Sequence, residues 1–565
     1  MTADTGLKER AAAACPFSNG PPKPAAAQDG ILGPLPGFGH FLGVPGAAER
    51  FQVDGADPRQ SAGAMVTLRR RLRGLALLMG NRPAHAADNP QIPAGYTYLL
   101  QLTAHDLVST TTGFWSAGGP RPGVANGAGA PLRLRTLYGD GPGACPFAFA
   151  PDGARDLTRS RFRLSAIGDA PAPAADAQAF RDIGRAATPG TLGTRRGSGE
   201  ALLADPRNDQ SALLSQVTGL FEMLHNAILD MIPSVGTLPA KAMREAAAAR
   251  FAVAREATAL IFRAVLRADV LPRVLDPRVQ AFYGTAAPDL LDRPADGAIP
   301  LEFSHGAFRF GHAMARDTYR IGSFASASLA ELLRLNSSRS PNAMPLKRQW
   351  ILRWSQFFHL PGLPAPNASM KLGPQHSPML IADGLSDPIA EGDPVGIAFR
   401  DLMSAGLAGL RSVNDLATQL LRLRPKLAAF SPMLVDPETR RSALAAWLRR
   451  DPALSLLTDA DVEALAAEPP LPFYVLFEAE REAAGERLGI LGSVLVAETI
   501  YGAMLREPLP AEIGDGGLTA ALDRLCATWL GDWRFPDKPA VQDMPGLIAF
   551  VARRLDLTAA DPAFL

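Results

Sequence analysis

Three long segments, residues 213–232, 242–270 and 488–505, carry apolar side chains three and four positions apart, the interval that lines them up along one face of an α-helix. Few stretches alternate with the period of two that a half-buried strand needs. A chain patterned this way must build its core between helices, so its fold is expected to be mainly α. No repeat with a period of roughly 20–50 residues occurs, which removes solenoids and propellers. The 52 glycines and 50 prolines cut the helical pattern into loops at residues 117–131, 140–152 and 168–200. Pro21, Pro22, Pro34 and Pro36 forbid long helices near the start. Three parts are expected: a loop-rich N-terminal extension packing on the core (1–85), a large core domain (86–510) and a C-terminal helical tail (511–565).

Charge excludes several partners. Lys plus Arg number 57 against 56 Asp plus Glu, a net +1, so no field of one sign draws the chain to nucleic acid or an anionic membrane. The most apolar run, residues 489–505, is interrupted by Glu498 and falls short of a membrane span. Basic residues 69–73, apolar residues 74–80 and Ala84-His85-Ala86 imitate a secretory signal. The apolar part is too short and lies too far into the chain, so it reads as an internal helix end, and the cytoplasm is favoured over secretion. Cys15, Cys145 and Cys526 are too few for a disulfide framework, and the repeated tripeptide at 15–17 and 145–147 is read as coincidence. Arginine outnumbers lysine 50 to 7, as a GC-rich bacterial genome would produce.

The usual enzyme signatures are missing. There is no nucleophile elbow, phosphate loop or dinucleotide fingerprint, and the eight histidines show no metal-ligand spacing. His305 and His312 would share a helix face, but no third ligand completes a zinc site.

What remains is an ordered series of short blocks: QLTAHDL (101–107), ADPRNDQ (204–210), FEMLHN (221–226), FRFGH (308–312), WILRWSQFFHLPG (350–362) and GERLGILGSVLVAETIYG (485–502). In this order they resemble the animal-type haem peroxidases of the peroxidase–cyclooxygenase superfamily, in their bacterial branch. The resemblance implies a haem peroxidase-like helical fold, with residues 86–510 as the catalytic domain. It implies His312 as axial ligand to haem iron, and His105 as the base that moves the peroxide proton. Arg207 would stabilise charge on the departing oxygen, unless it is tied up in a salt bridge with Asp205 or Asp209. Gln101, one turn before His105, would face the same pocket, and His225-Asn226 would be structural. His40, His85, His359 and His376 have no evident chemical partner.

Departures from the family pattern refine this reading. The two carboxylates that esterify haem in the mammalian secreted enzymes are here Ala104 and Gln210, so haem b is expected to be non-covalent. Calcium is poorly provided for. Asp106 stands at the family's calcium ligand, yet residues 107–139 contain no acid, and a hard dication wants several oxygen ligands. Arg133 or Arg135 could pair with Asp106 instead. Below the haem, FRDLMSAG (399–406) aligns Asp401 with the family's proximal asparagine and Ser404 with the arginine that follows. Asp401 would then either accept the His312 ring proton or serve as a helix-start residue. Radical oxygenases of the superfamily carry tyrosine three residues before the proximal histidine. Arg309 stands there, suited to a haem propionate.

Three functions stay open on these residues. The leading one is a peroxidase that reduces hydrogen peroxide and oxidises a small organic reductant through a ferryl intermediate. The others are a haem oxygenating enzyme acting on a lipid or metabolite, and a catalytically impaired haem-binding protein. Oligomeric state is not readable.

Overall fold

An 18-residue run from Ala212 to Leu229, buried on every side, forms the middle of the molecule. Although it carries Gln216, Glu222, His225 and Asn226, no face of this run reaches solvent, so the helix lies inside the core rather than on its surface. In this computed structural model, residues 37–556 are described, apart from 84–85, 111–124, 129–130, 153–158, 171–178, 189–197, 235–239, 292–297, 382–388, 390–391, 395 and 452–455. Cys15, His85 and the prolines at 21–36 lie outside the described residues.

The N-terminal half supplies α1 (Ala62–Met79), α2 (Gly95–Leu107), α3 (Arg135–Tyr138), α4 (Ala212–Met231) and α5 (Ala240–Val265). The C-terminal half supplies α6 (Ile397–Ala408), α7 (Leu471–Ala483), α8 (Ile490–Arg506), α9 (Gly517–Leu530) and α10 (Met544–Arg554). The mainly helical expectation therefore holds, and α4, α5 and α8 coincide with the three periodic segments to within a few residues. Described strands form only two-stranded ribbons. Among the described residues, no helix is long and apolar enough to cross a membrane.

The loop-rich reading of residues 1–85 needs correcting at α1. Its leucines at 68, 72 and 75 are buried and the helix packs on α6; the prolines that argued against helix all precede it. Residues 35–565 form one compact unit, within which α9 packs on α5 and α10 on α4.

Local chemistry fixes the helices around the future site. Ser211 caps α4 by accepting the Leu214 N–H at 3.1 Å, a standard N-terminal device. The ribbon of Asp88–Pro93 with Ala368–Met370 leads directly into α2, whose first residue donates its N–H to the Phe357 carbonyl at 2.9 Å. A side chain at Gly95 would lie 2.4 Å from the Phe358 ring, so only glycine allows that approach. Helix α5 runs into a π-turn, Leu266–Val270. There the buried Asp269 accepts from Tyr96 Oη at 2.7 Å, Arg273 Nε at 2.8 Å and the Met544 N–H at 2.9 Å. One carboxylate thus joins the start of α2, the end of α5 and the start of α10.

Candidate active site

Helix α2 is buried except along one stripe, where Gln101, Ala104, His105 and Val108 are part-exposed. These positions recur every three or four residues, so they share a face. His105 Nδ1 lies 2.9 Å from Asn208 Oδ1. The orientation of that amide is settled by its other end: Asn208 Nδ2 donates to the Thr136 carbonyl at 3.2 Å and to Thr136 Oγ1 at 3.0 Å, and a carbonyl can only accept. Asn208 Oδ1 therefore faces the ring, Nδ1 carries the hydrogen and Nε2 keeps its lone pair. Burial, reinforced by the Arg207 charge, pushes the His105 pKa down to about 4. The imidazole is a neutral base at ordinary pH.

Arg207 sits in the 3-10 turn Pro206–Asp209, capped by Asp205. Its guanidinium pairs with Asp205 at 2.6 Å and not with Asp209, which is engaged by Arg185 and the Ser337 N–H. Arg207 also donates to the carbonyls of Val108 at 2.6 Å and His105 at 2.9 Å. These contacts make it a clamp on the last turn of α2 and leave one Nη1 hydrogen without an acceptor among the described residues. Gln101 Nε2 donates to Gln210 Oε1 at 3.2 Å, which joins α2 to the residue beyond the arginine turn.

Asp106 points the other way, into the protein. Its oxygens accept the N–H groups of Leu134 at 2.9 Å and Thr136 at 3.1 Å. Burial raises its pKa to about 6, although those amides and the Arg263 charge oppose the rise. The suggested pairing with Arg133 or Arg135 is not found. Arg135 bonds Asp140 and the carbonyls of Gly127 and Ala128, and Arg133 bonds the Pro508 carbonyl. N–H dipoles aimed at both oxygens repel a cation, and the described residues hold no cluster of three candidate ligands. Among the described residues, Asp106 is thus occupied as an acceptor of backbone N–H groups and not set up as a calcium ligand.

The FRFGH block forms a 3-10 helix, Ala307–Met314, which packs against α2. His305 belongs to the turn before it and contacts Ser304 Oγ through Nδ1 at 2.8 Å, so His305 and His312 do not share one helix. His312 Nδ1 lies 2.6 Å from Asp401 Oδ2. That carboxylate lies in the second turn of α6, not at its start, so of the two readings of Asp401 the geometry favours the ring partner. Burial alone would raise the Asp401 pKa, but the His312 and Arg309 charges outweigh it and hold the group below the ordinary carboxylate range. Arg309 Nη1 is 3.4 Å from Asp401 Oδ1, and its Nε donates to the Ser304 carbonyl at 2.9 Å. Arg309 thus stands beside Asp401, whereas the sequence reading set it against a haem propionate.

With Nδ1 held by Asp401, Nε2 is the nitrogen of His312 left to bind a ligand, and the side chain is 34% exposed although its neighbours Phe310 and Ala313 are buried. Ser404 Oγ, one turn along α6 from Asp401, is buried without a partner. An oriented imidazole on one element, a neutral base on the element packed against it and a part-exposed helix face form a donor set that fits haem. Neither Ala104 nor Gln210 has a carboxylate to esterify it.

Sequence reasoning missed Asn208, although it follows Arg207 directly; an amide beside a candidate site arginine was the available signal. It also gave no partner to His376 or His40. His376 is buried, donates from Nδ1 to the Pro374 carbonyl at 3.0 Å, and is lowered to about 4 by burial and by the charges of His312 and Arg82. His40 Nδ1 meets the buried Glu302 at 2.9 Å.

No family model and no curated protein matches the chain. Among solved structures, peroxidase A from Dictyostelium discoideum is similar at 13% identity, over 84% of this chain and 90% of that one, with a TM-score of 0.49. A fatty acid alpha-dioxygenase variant from Oryza sativa with palmitic acid is similar at 12% identity, over 86% and 78%, with a TM-score of 0.46. Likenesses this distant are likenesses of backbone course, and the functional reading rests on the side chains.

Proposed function

We propose that this chain is a haem-dependent peroxidase that reduces hydrogen peroxide and oxidises small organic donors. The observation that carries the reading is the 2.9 Å contact between His105 Nδ1 and Asn208 Oδ1, which leaves Nε2 as the basic nitrogen of a residue on the part-exposed stripe of α2. When bound, haem supplies the iron that coordinates peroxide and takes up its oxidising equivalents.

His312 would hold that iron through Nε2, and Asp401, accepting the Nδ1 hydrogen, fixes the ring and strengthens it as a donor. Arg309 shares the same carboxylate and so moderates the strengthening. His105 Nε2 would accept the proton of one peroxide oxygen and return it to the other, acting as base and then acid. Arg207 keeps His105 in register by holding the carbonyls of His105 and Val108, and turns its remaining N–H to negative charge developing nearby. Gln101 and Gln210 form a polar edge to the same face. Non-covalent haem follows from Ala104 and Gln210. A dioxygenase mechanism lacks its phenol, because Arg309 occupies that position and is tied to Asp401.

The test is to mix the ferric protein with hydrogen peroxide in a stopped-flow spectrometer. A rapid Soret change that returns only when a phenolic donor is added supports the peroxidase. Unchanged spectra refute it, and oxygen uptake with a fatty acid instead would favour the oxygenase.

A further inference from the structure

Tyr138, the last residue of α3, is fully buried, and its hydroxyl lies 2.9 Å from His225 Nδ1. The other ring nitrogen of His225 lies 2.9 Å from the Ser160 carbonyl, an acceptor only. The hydrogen of His225 is therefore on Nε2 and the lone pair on Nδ1, so the phenol must be the donor. A buried phenol hydrogen-bonded to a neutral imidazole is the arrangement in which loss of an electron and loss of a proton go together. The radical cation of a phenol is a strong acid, and an imidazole at hydrogen-bond distance takes its proton without either group moving.

Other described phenols lack this combination. Tyr98 donates to another phenol, Tyr319, and Tyr474 Oη is buried without a partner. The carboxylates that receive Tyr96 and Tyr283 are shared with backbone N–H donors, Asp269 with Met544 and Glu498 with Leu291. Tyr138 is also linked to His105 through the turn of α3 and Asn208. Two residues before it, Thr136 holds Asn208 and Asp106. Around its ring stand Phe162 at 5.0 Å and Phe251 at 6.0 Å between centroids, with the Arg255 guanidinium 5.3 Å from the ring centroid, a fully buried setting for the phenol.

We propose that Tyr138 and His225 form a one-electron donor site beside the distal residues, which reduces the oxidised haem when no external donor arrives. Its physiological oxidant rests on the peroxidase reading. In the step, Tyr138 gives one electron to the oxidised haem, its O–H bond breaks, and the proton forms an N–H bond at His225 Nδ1. The products are a neutral phenoxyl radical and an imidazolium, and the return of one electron from a donor reverses both transfers.

Electron paramagnetic resonance on two preparations of the full chain tests this. Haem-loaded protein is freeze-quenched after one equivalent of peroxide with no donor. Haem-free protein is flashed with photogenerated tris(bipyridine)ruthenium(III). Both are expected to give a tyrosyl signal whose lowered gx reports a hydrogen bond from a cationic donor. Tyr138→Phe, which keeps the ring and its packing, should lose the signal in both. His225→Gln, which can hydrogen-bond but cannot take up a proton, should lose it too. The same radical yield in Tyr138→Phe overturns the proposal. A Tyr138 radical from the flash but none from peroxide retains the donor pair and counts against the peroxidase reading instead.

Discussion

The hydrogen bond between His105 Nδ1 and Asn208 Oδ1, 2.9 Å long, decides which nitrogen of the ring can act as a base. His105→Ala should slow peroxide activation by roughly 10²–10⁴ with haem content unchanged, since the residue does not hold iron. Asn208→Ala leaves the base in place but frees its tautomer, and the loss should be smaller, roughly 10–100-fold. Stopped-flow Soret traces measure both. Equal losses would mean that Asn208 supports the fold rather than the tautomer.

The pH profile should carry the mark of burial. A lowered pKa favours the neutral imidazole, so acid costs activity only as the pH approaches the His105 value of about 4, not the ordinary 6.5. The rate constant for peroxide activation should be level above about pH 5 and drop about tenfold per unit below pH 4, checked where circular dichroism finds the fold intact. A break near 6.5 would contradict the assigned environment.

On the proximal side, His312→Ala should abolish stoichiometric haem binding, measured by pyridine haemochrome assay. Asp401→Asn should keep haem but weaken the ring hydrogen bond by about 1–2 kcal/mol. At about 59 mV per tenfold change for one electron, the midpoint potential should rise by on the order of 50 mV. Arg309→Leu removes the competing cation from Asp401 and should move the potential the opposite way. Potentiometric titration reads both shifts.

Asp106 yields a prediction about metals. Because backbone N–H groups fill its coordination, a chelator should change neither haem content nor melting temperature, and added calcium should not raise the latter. Asp106→Ala strands two buried donors at about 1–3 kcal/mol each and should lower the melting temperature clearly in a thermal shift assay. Calcium-dependent stabilisation of the wild type would overturn the assignment.

The helices were legible because their signal is local. Apolar spacing marked α4, α5 and α8 within a few residues of their ends, whereas α1 was obscured by prolines that lie before it. Short blocks in fixed order nominated the histidines at 105 and 312 and the carboxylate at 401, and the fold gives each a polar partner. Their partners could not, since Arg309 meets Asp401 and Asp106 meets Leu134 only after distant segments fold together. The competing readings of Arg207 were a charge-stabilising role and a salt bridge with Asp205 or Asp209, and the direction of one 3-10 turn gives it the bridge to Asp205. Asn208 was hidden for the same reason: an amide acquires meaning only when both of its ends are seen to be bonded.

The carboxylate of Asp269 has a consequence for how the protein is made. It receives Tyr96 from the beginning of α2 and the backbone of Met544 from the beginning of α10. A ribosome releases Tyr96 long before Met544, so the nascent chain carries the distal helix for most of its synthesis with Asp269 short of one donor. Until the last helix leaves the exit tunnel, Tyr96 and Arg273 hold Asp269 without their backbone companion. A chain truncated before Met544 would emerge with every catalytic candidate present and the carboxylate under the start of α2 short of one buried donor.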